Sequence, residues 1–125
     1  MYAHEHDLTH RSLNLDLIQV DYKTNEDKPV IKIGGFADMT IIGKNIKESE
    51  QMDSMIFRAP ETFKGKYTRR SDVYSVGVIM YILLCGEQPF IAPDPEGLAK
   101  NIQEVDISFT EPIWETISRE SKDLL

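Results

Sequence analysis

The sequence is poor in the features that mark secreted, membrane-spanning or nucleic-acid-binding chains. It has one cysteine, Cys85, so an intrachain disulfide framework is excluded. That absence fits a reducing compartment. The longest apolar stretch, Val73 to Cys85, is interrupted by Ser75 and Gly77 and is shorter than the roughly 20 residues a membrane span needs. The opening Met1-Tyr2-Ala3-His4-Glu5-His6-Asp7 lacks the basic start and apolar run of a signal peptide, and no Asn-x-Ser/Thr acceptor occurs. A cytoplasmic chain is expected. Positive charge is not in excess either: 14 Lys+Arg stand against 21 Asp+Glu, a net charge of −7. Nucleic acid and anionic membrane both select basic surfaces, so neither is the expected partner. The phosphate-cradling patterns G-x-x-x-x-G-K-[ST] and G-x-G-x-x-G are missing, as is an EF-hand loop. There is no internal repeat and no low-complexity segment.

What is present suits one small folded domain. The chain has 125 residues, 41% hydrophobic and 28% charged, a balance that supports a core rather than a disordered tail. The first six residues read as the end of a helix. Leu15 to Val20 and Val30 to Ile33 read as short strands around a polar loop closed by Pro29, hence a small hairpin that must lie on something larger. Gly34-Gly35 breaks the pattern, and Phe36 to Phe57 reads as a long polar loop. Ser71-Asp72 reads as a helix start. Val73 to Leu84 is apolar almost all round, the pattern of a buried central helix, and Gly86 can take the left-handed conformation that ends it. Asp94-Pro95 is an N-cap and first-turn pair for a helix to about Gln103. One further turn is expected at Ile113 to Ile117, and a last helix capped by Ser118. That helix is still apolar at Leu125, which points to a fragment.

Candidate chemical clusters are few. His4, His6 and His10 with Glu5 and Asp7 look like metal ligands, but a tetrahedral site needs a matched set of about four, and an exposed helix end with one structural histidine accounts for them. Cys85 closes the most apolar segment, where a free thiol is inert filler. Lys64, Lys66, Arg69 and Arg70 form the one basic cluster and read as a solvated loop.

The order of the motifs is more specific. His10-Arg11 precedes a short strand. Ile31-Lys32-Ile33-Gly34-Gly35-Phe36-Ala37 follows, then a polar loop, then Arg58-Ala59-Pro60-Glu61, then Ser71-Asp72-Val73-Tyr74-Ser75-Val76-Gly77. In this order they resemble the C-terminal lobe of eukaryotic protein kinases over nearly the whole chain. Tyr81 to Gly86 followed by Pro89-Phe90, with Ile107-Ser108-Phe109 and Ile113-Trp114-Glu115, is most similar to the calcium- and calmodulin-dependent branch. The resemblance implies a mainly α fold with a small β-hairpin, a partial protein-kinase-like fold comprising the C-lobe only. Residues 1–33 would hold a helix end, a catalytic-loop remnant and the hairpin. Residues 34–61 would be the activation segment and 71–125 the central and following helices.

The resemblance also locates departures. Where H-R-D-x-x-x-x-N has the Asp that takes the substrate proton, this chain has Ser12, and a hydroxyl is uncharged at neutral pH. The family's lysine two residues later is Asn14, and the loop's Mg²⁺-binding asparagine is Leu17. D-F-G is Gly35-Phe36-Ala37, so the second metal-binding carboxylate is missing as well. Mg²⁺ requires hard oxygen ligands. Asp16 and Asp38 lie near the lost acids but off the aligned positions. ATP and Mg²⁺, expected in active relatives, are therefore not expected as cofactors here, and no metal site is expected.

The structural positions of the family are kept. Phe36 matches the apolar residue under the catalytic loop. His10 matches the histidine that bonds backbone near it, and Asp72 the residue that holds the loop by its amides. Arg11 matches the arginine that pairs with a phosphorylated activation loop. Ala59, Pro60, Glu61 and Gly77 complete the retained set. Ser49 and Ser54 are candidate phosphorylation sites; the alternative is that Glu48 and Glu50 supply that negative charge permanently. The Gly-rich lid and the strand lysine have no counterpart, nor does the arginine that pairs with the A-P-E glutamate, so Glu61 is expected to find another partner or to remain solvated. The expected function is that of a catalytically inactive pseudokinase lobe that binds other proteins, including an N-lobe or a companion kinase. The alternative is a fragment of a calcium-dependent type Ser/Thr kinase that transfers phosphate from ATP to protein.

Overall fold

The computed structural model describes residues 2–23, 28–41 and 52–125. Over them the chain runs α1 (Tyr2–Glu5), β1 (Leu8–Thr9), β2 (Ile18–Asp21), β3 (Val30–Ile33), β4 (Thr40–Ile41), α2 (Met52–Met55), α3 (Arg69–Cys85), α4 (Pro95–Glu104) and α5 (Arg119–Leu124). Single 3-10 turns lie at Leu15–Leu17, Phe36–Asp38, Pro60–Lys64 and Pro112–Glu115. This is the mainly helical class with a small hairpin that the sequence implies, and it is consistent with a partial kinase-like lobe.

α3 starts two residues earlier than the sequence pattern implies, because Thr68 supplies the cap. Thr68 Oγ1 accepts from the Arg70 amide at 3.2 Å, and Ser71 Oγ accepts from the Thr68 amide at 3.2 Å. Ser71 thus belongs to the first turn, not the boundary. Gly86 ends the helix at φ 80°, its amide bonded to Ile82 O, the left-handed close that glycine takes without a Cβ clash. α4 begins as expected, with Asp94 Oδ1 accepting from Gly97 N at 2.7 Å and Pro95 in its first turn.

The core gathers Met55, Ile56, Phe57, Val78, Ile79, Phe90, Leu98 and Ile102. Leu98 and Ile102 lie four residues apart on one face of α4, while Glu96, Lys100 and Glu104 are exposed. Burying either side chain contributes about 1.5–3 kcal/mol. The chain beyond α4 is tied to α3 by aromatic rings. Trp114 is fully buried, its ring centroid 4.8 Å from those of Tyr81 and Phe109.

α3 is not buried on every side. Val73, Val76 and Leu83 are 63%, 53% and 71% exposed, while Val78 on the opposite face is 1% exposed. Val73 and Val76 border an open apolar cavity of about 520 Å³ shared with Tyr2, Leu13, Ile33 and Phe36. Apolar side chains all round a helix show only that it can be buried; the packing of other elements decides which faces are.

The hairpin pairs β2 with β3 antiparallel, from Ile18↔Ile33 to Asp21↔Val30. Its strand begins at Ile18 rather than Leu15. Asn14 Oδ1 accepts from Asp16 N at 2.9 Å, and this local side-chain bond turns Leu15–Leu17 into a 3-10 turn. Leu15 and Ile18 pack against the core and anchor the hairpin base. The segment read as one long loop contains ordered pieces. The Phe36–Asp38 turn leads into β4, which pairs with β1 through Leu8↔Ile41 and Thr9↔Thr40, and α2 follows. Residues 42–51, which include Glu48, Ser49 and Glu50, lie outside the described residues.

Candidate functional site

Asp72, on the first turns of α3, is 4% exposed and organises the loop that carries His10 to Leu17. Its Oδ2 accepts from the His10 amide at 2.9 Å and its Oδ1 from the Arg11 amide at 3.0 Å. His4 Nε2 lies 2.8 Å from Oδ2. Burial pushes the Asp72 carboxyl up, but the Arg11 and His10 amides and the His4 side chain outweigh it. The group is held below the usual carboxylate range.

The histidines are engaged separately. His10 Nε2 donates to Gly34 O at 2.8 Å, its ring centroid 5.3 Å from that of Phe36. Phe36 is 58% exposed, so it touches the histidine without being enclosed. His6 Nδ1 bonds Tyr2 O at 2.9 Å, and His4 serves Asp72. Among the described residues, no group of three or more His, Cys, Asp or Glu side chains is placed to hold a metal.

Ser12, which the resemblance sets at the catalytic acid's position, sits between two weak contacts. Its Oγ is 3.4 Å from both His10 Nδ1 and Gly35 O, at the outer limit for a hydrogen bond. Asn14 turns inward on the loop, donating to Ser12 O at 3.1 Å while capping the Leu15–Leu17 turn. Asp16 is exposed. The Asp38 side chain lies outside what is described.

At the two positions implied for metal ligands, hydrocarbon meets hydrocarbon. Gly34 N donates to Leu17 O at 2.8 Å, extending the hairpin ladder by one step and bringing residue 17 beside residue 35. Gly35 is left-handed at φ +79°. A Cβ built there would overlap Leu17 Cδ1 and lie 2.9 Å from Cδ2 and 3.1 Å from Cγ. These residues do not fit Mg²⁺, which takes oxygen ligands in near-octahedral geometry.

The far side of the site joins the 52–61 segment to α3. Ser75 Oγ, buried, donates to Phe57 O at 2.7 Å. Glu61 Oε1 accepts from Ser71 Oγ at 2.8 Å. Ser71 is therefore the partner for Glu61 that the sequence left open; the T-x-x-S spacing of Thr68 and Ser71 was its one visible signal. Ala59 is buried, and Pro60 opens the Pro60–Lys64 turn. Tyr74 stands nearby, its phenol pushed up to about 12 by burial and by the Glu61 charge. Arg11, itself left-handed at φ 73°, lays its guanidinium 4.3 Å above the centroid of buried Tyr67. Arg58 does the same over Phe63 at 4.3 Å. Its pKa is lowered by burial and then by the Arg11 charge. Ser54 is half-buried in α2, and Gly77 faces open space, with no atom within 4 Å of where a Cβ would stand.

Comparison with known proteins gives one answer along the whole chain. The family model described as "Protein kinase domain" matches residues 1–125. The chain is 36% identical over 134 residues to serine/threonine-protein kinase 33 of Mus musculus, covering 99% of this chain and 27% of that protein. It is 35% identical over 126 residues to calcium-dependent protein kinase 5 of Plasmodium falciparum, with 99% and 22% covered. CDPK-related kinase 8 of Arabidopsis thaliana is 32% identical over 124 residues, with 99% and 20% covered. The chain thus spans about a quarter of the length of the curated relatives it matches.

Proposed function

The chain belongs to the protein kinase domain family, and on that premise we propose that it acts by binding another protein rather than by transferring phosphate. The observation that carries this reading is Leu17 seated over Gly35, where the family pattern calls for two oxygen-bearing metal ligands. Ser12 in place of the proton-accepting carboxylate supports it, since a neutral hydroxyl is a poor base. The scaffold around these positions is kept in working order, with Asp72 gripping the loop and Ser71 and Ser75 gripping the 52–61 segment. A lobe with an ordered scaffold and no metal chemistry is suited to docking. The surfaces we propose for it are the helical face near Pro89 to Gln103 and the activation segment, with a protein as partner, an N-lobe or a companion kinase in the cytoplasm.

A second reading is favoured by identities of 36% and 35% to proteins named as kinases. In it the chain is a piece of a calcium-dependent type Ser/Thr kinase whose remaining parts supply the nucleotide site. One experiment separates the two: melting of this chain joined to an N-lobe, with and without ATP and Mg²⁺, paired with a radiolabelled phosphate-transfer assay. The binding reading expects no metal-dependent shift and no transfer. A shift of several degrees abolished by chelator, or measurable transfer, would install the enzyme reading.

A further inference from the structure

We infer that the metal position implied by the family has been filled rather than vacated, by an exchange of side-chain volume between residues 17 and 35. The functional meaning of this inference rests on the binding reading above; its geometry does not. The hairpin register ends at Ile18↔Ile33, and the Gly34 N to Leu17 O bond at 2.8 Å carries it one step further. Residue 17 is thereby fixed against the backbone of residues 34 and 35, although 18 positions separate 17 from 35 in the chain.

A side chain at residue 35 would meet three atoms of Leu17 at once: Cδ1, Cδ2 at 2.9 Å and Cγ at 3.1 Å. This is occupation of the same space, not a glancing contact. The leucine is half-buried and covers the glycine. The two departures from the family pattern are therefore one change in two places. An acid restored at residue 35 alone forces the end of the Leu17 side chain to shift, at a left-handed position that strains any L side chain. Trimming residue 17 alone leaves a gap over Gly35. Only paired substitution reopens the position.

The test is a melting cycle on the 125-residue chain with Leu17→Ala, Gly35→Ala and the pair. The strain of placing alanine at positive φ is common to both backgrounds and cancels. The expected result is that Gly35→Ala lowers the melting temperature by at least about 4 °C more beside Leu17 than beside Leu17→Ala. Equal drops in the two backgrounds would overturn the inference. Should Gly35→Ala prevent folding, the unmodified chain decides the matter. A strong nuclear Overhauser contact between the Leu17 methyls and the Gly35 α-protons is expected, and its absence overturns the exchange. Neither readout depends on phosphate transfer. An active chain would end the binding reading and leave this result standing, and equal drops would do the reverse.

Discussion

Ser71 Oγ donates to Glu61 Oε1 at 2.8 Å while accepting from the Thr68 amide at 3.2 Å. One hydroxyl therefore closes the first turn of α3 and secures the A-P-E glutamate at the same time. Ser71→Ala leaves a charged carboxylate and a helix-capping amide each short of a partner. A cost of about 1–3 kcal/mol is expected, read as a lower urea midpoint with unchanged slope. Glu61→Gln keeps an acceptor in place and is expected to cost less. A Ser71→Ala midpoint equal to that of the parent would show that the Ser71 contact contributes nothing.

Asp72 gives the chain an acid-sensitive joint. Its folded pKa lies below the ordinary value, so its stabilising effect is complete above the unfolded pKa of about 3.9 and is lost as pH falls through the folded one. Stability is expected to decline below about pH 4 for this reason. Asp72→Asn offers one acceptor oxygen where the carboxylate uses two. It is expected to cost about 2–3 kcal/mol at pH 7 and to flatten the acid limb of the stability curve. Urea titrations of both proteins at pH 7 and at about pH 2.5 check it.

These joints were legible in the sequence to different degrees, and the reason is distance along the chain. The α4 start is a local device, Asp94 bonding an amide three residues on, and the pattern displays it directly. The ordered motifs around His10, Phe36, Pro60 and Asp72 showed the family, because motif order survives the loss of individual side chains. The strand at Leu15 was misplaced because an asparagine bond, not β-propensity, sets the backbone there. The exposed Val73 and Leu83 face was misjudged because composition cannot tell which side of an apolar helix is covered. Leu17 and Gly35 were each seen as a lost ligand. Their contact exists only through the hairpin register, which no count of residues along the chain displays. The Ser49 site lies outside the described residues, so the structure adds nothing to it.

Tyr74 supplies the alkaline counterpart of Asp72. Its phenol is pushed up to about 12, by burial first and the Glu61 charge second. A folded pKa above the unfolded value of about 10 means the folded state keeps a proton the unfolded state gives up. The favourable difference is complete below pH 10 and is lost as pH rises from about 10 to about 12. Tyr74→Phe removes the titrating group and is expected to hold its stability further into alkali than the parent. Phenolate absorbance followed alongside melting temperature from pH 9 to 12 checks this. Parallel decline in both proteins would assign the alkaline loss elsewhere.

Replacing Ser12 by the carboxylate of active kinases is expected to harm this chain rather than restore it. Ser12 Oγ stands 3.4 Å from Gly35 O and is able to donate to it. An ionised aspartate is an acceptor only, and it would face that carbonyl with no proton between them. A loss of about 1 kcal/mol is expected for Ser12→Asp, read as a lowered urea midpoint. Activity is not expected to follow, because Leu17 and Gly35 still present no oxygen to a cation. The informative comparison adds Asn14→Lys, Leu17→Asn and Gly35→Asp to Ser12→Asp in a chain that carries an N-lobe. If phosphate transfer appeared with Ser12→Asp alone, the seat of Leu17 over Gly35 would not bar the chemistry. If it appeared only with all four, the scaffold held by Asp72 and Ser71 would be shown to be competent for phosphate transfer.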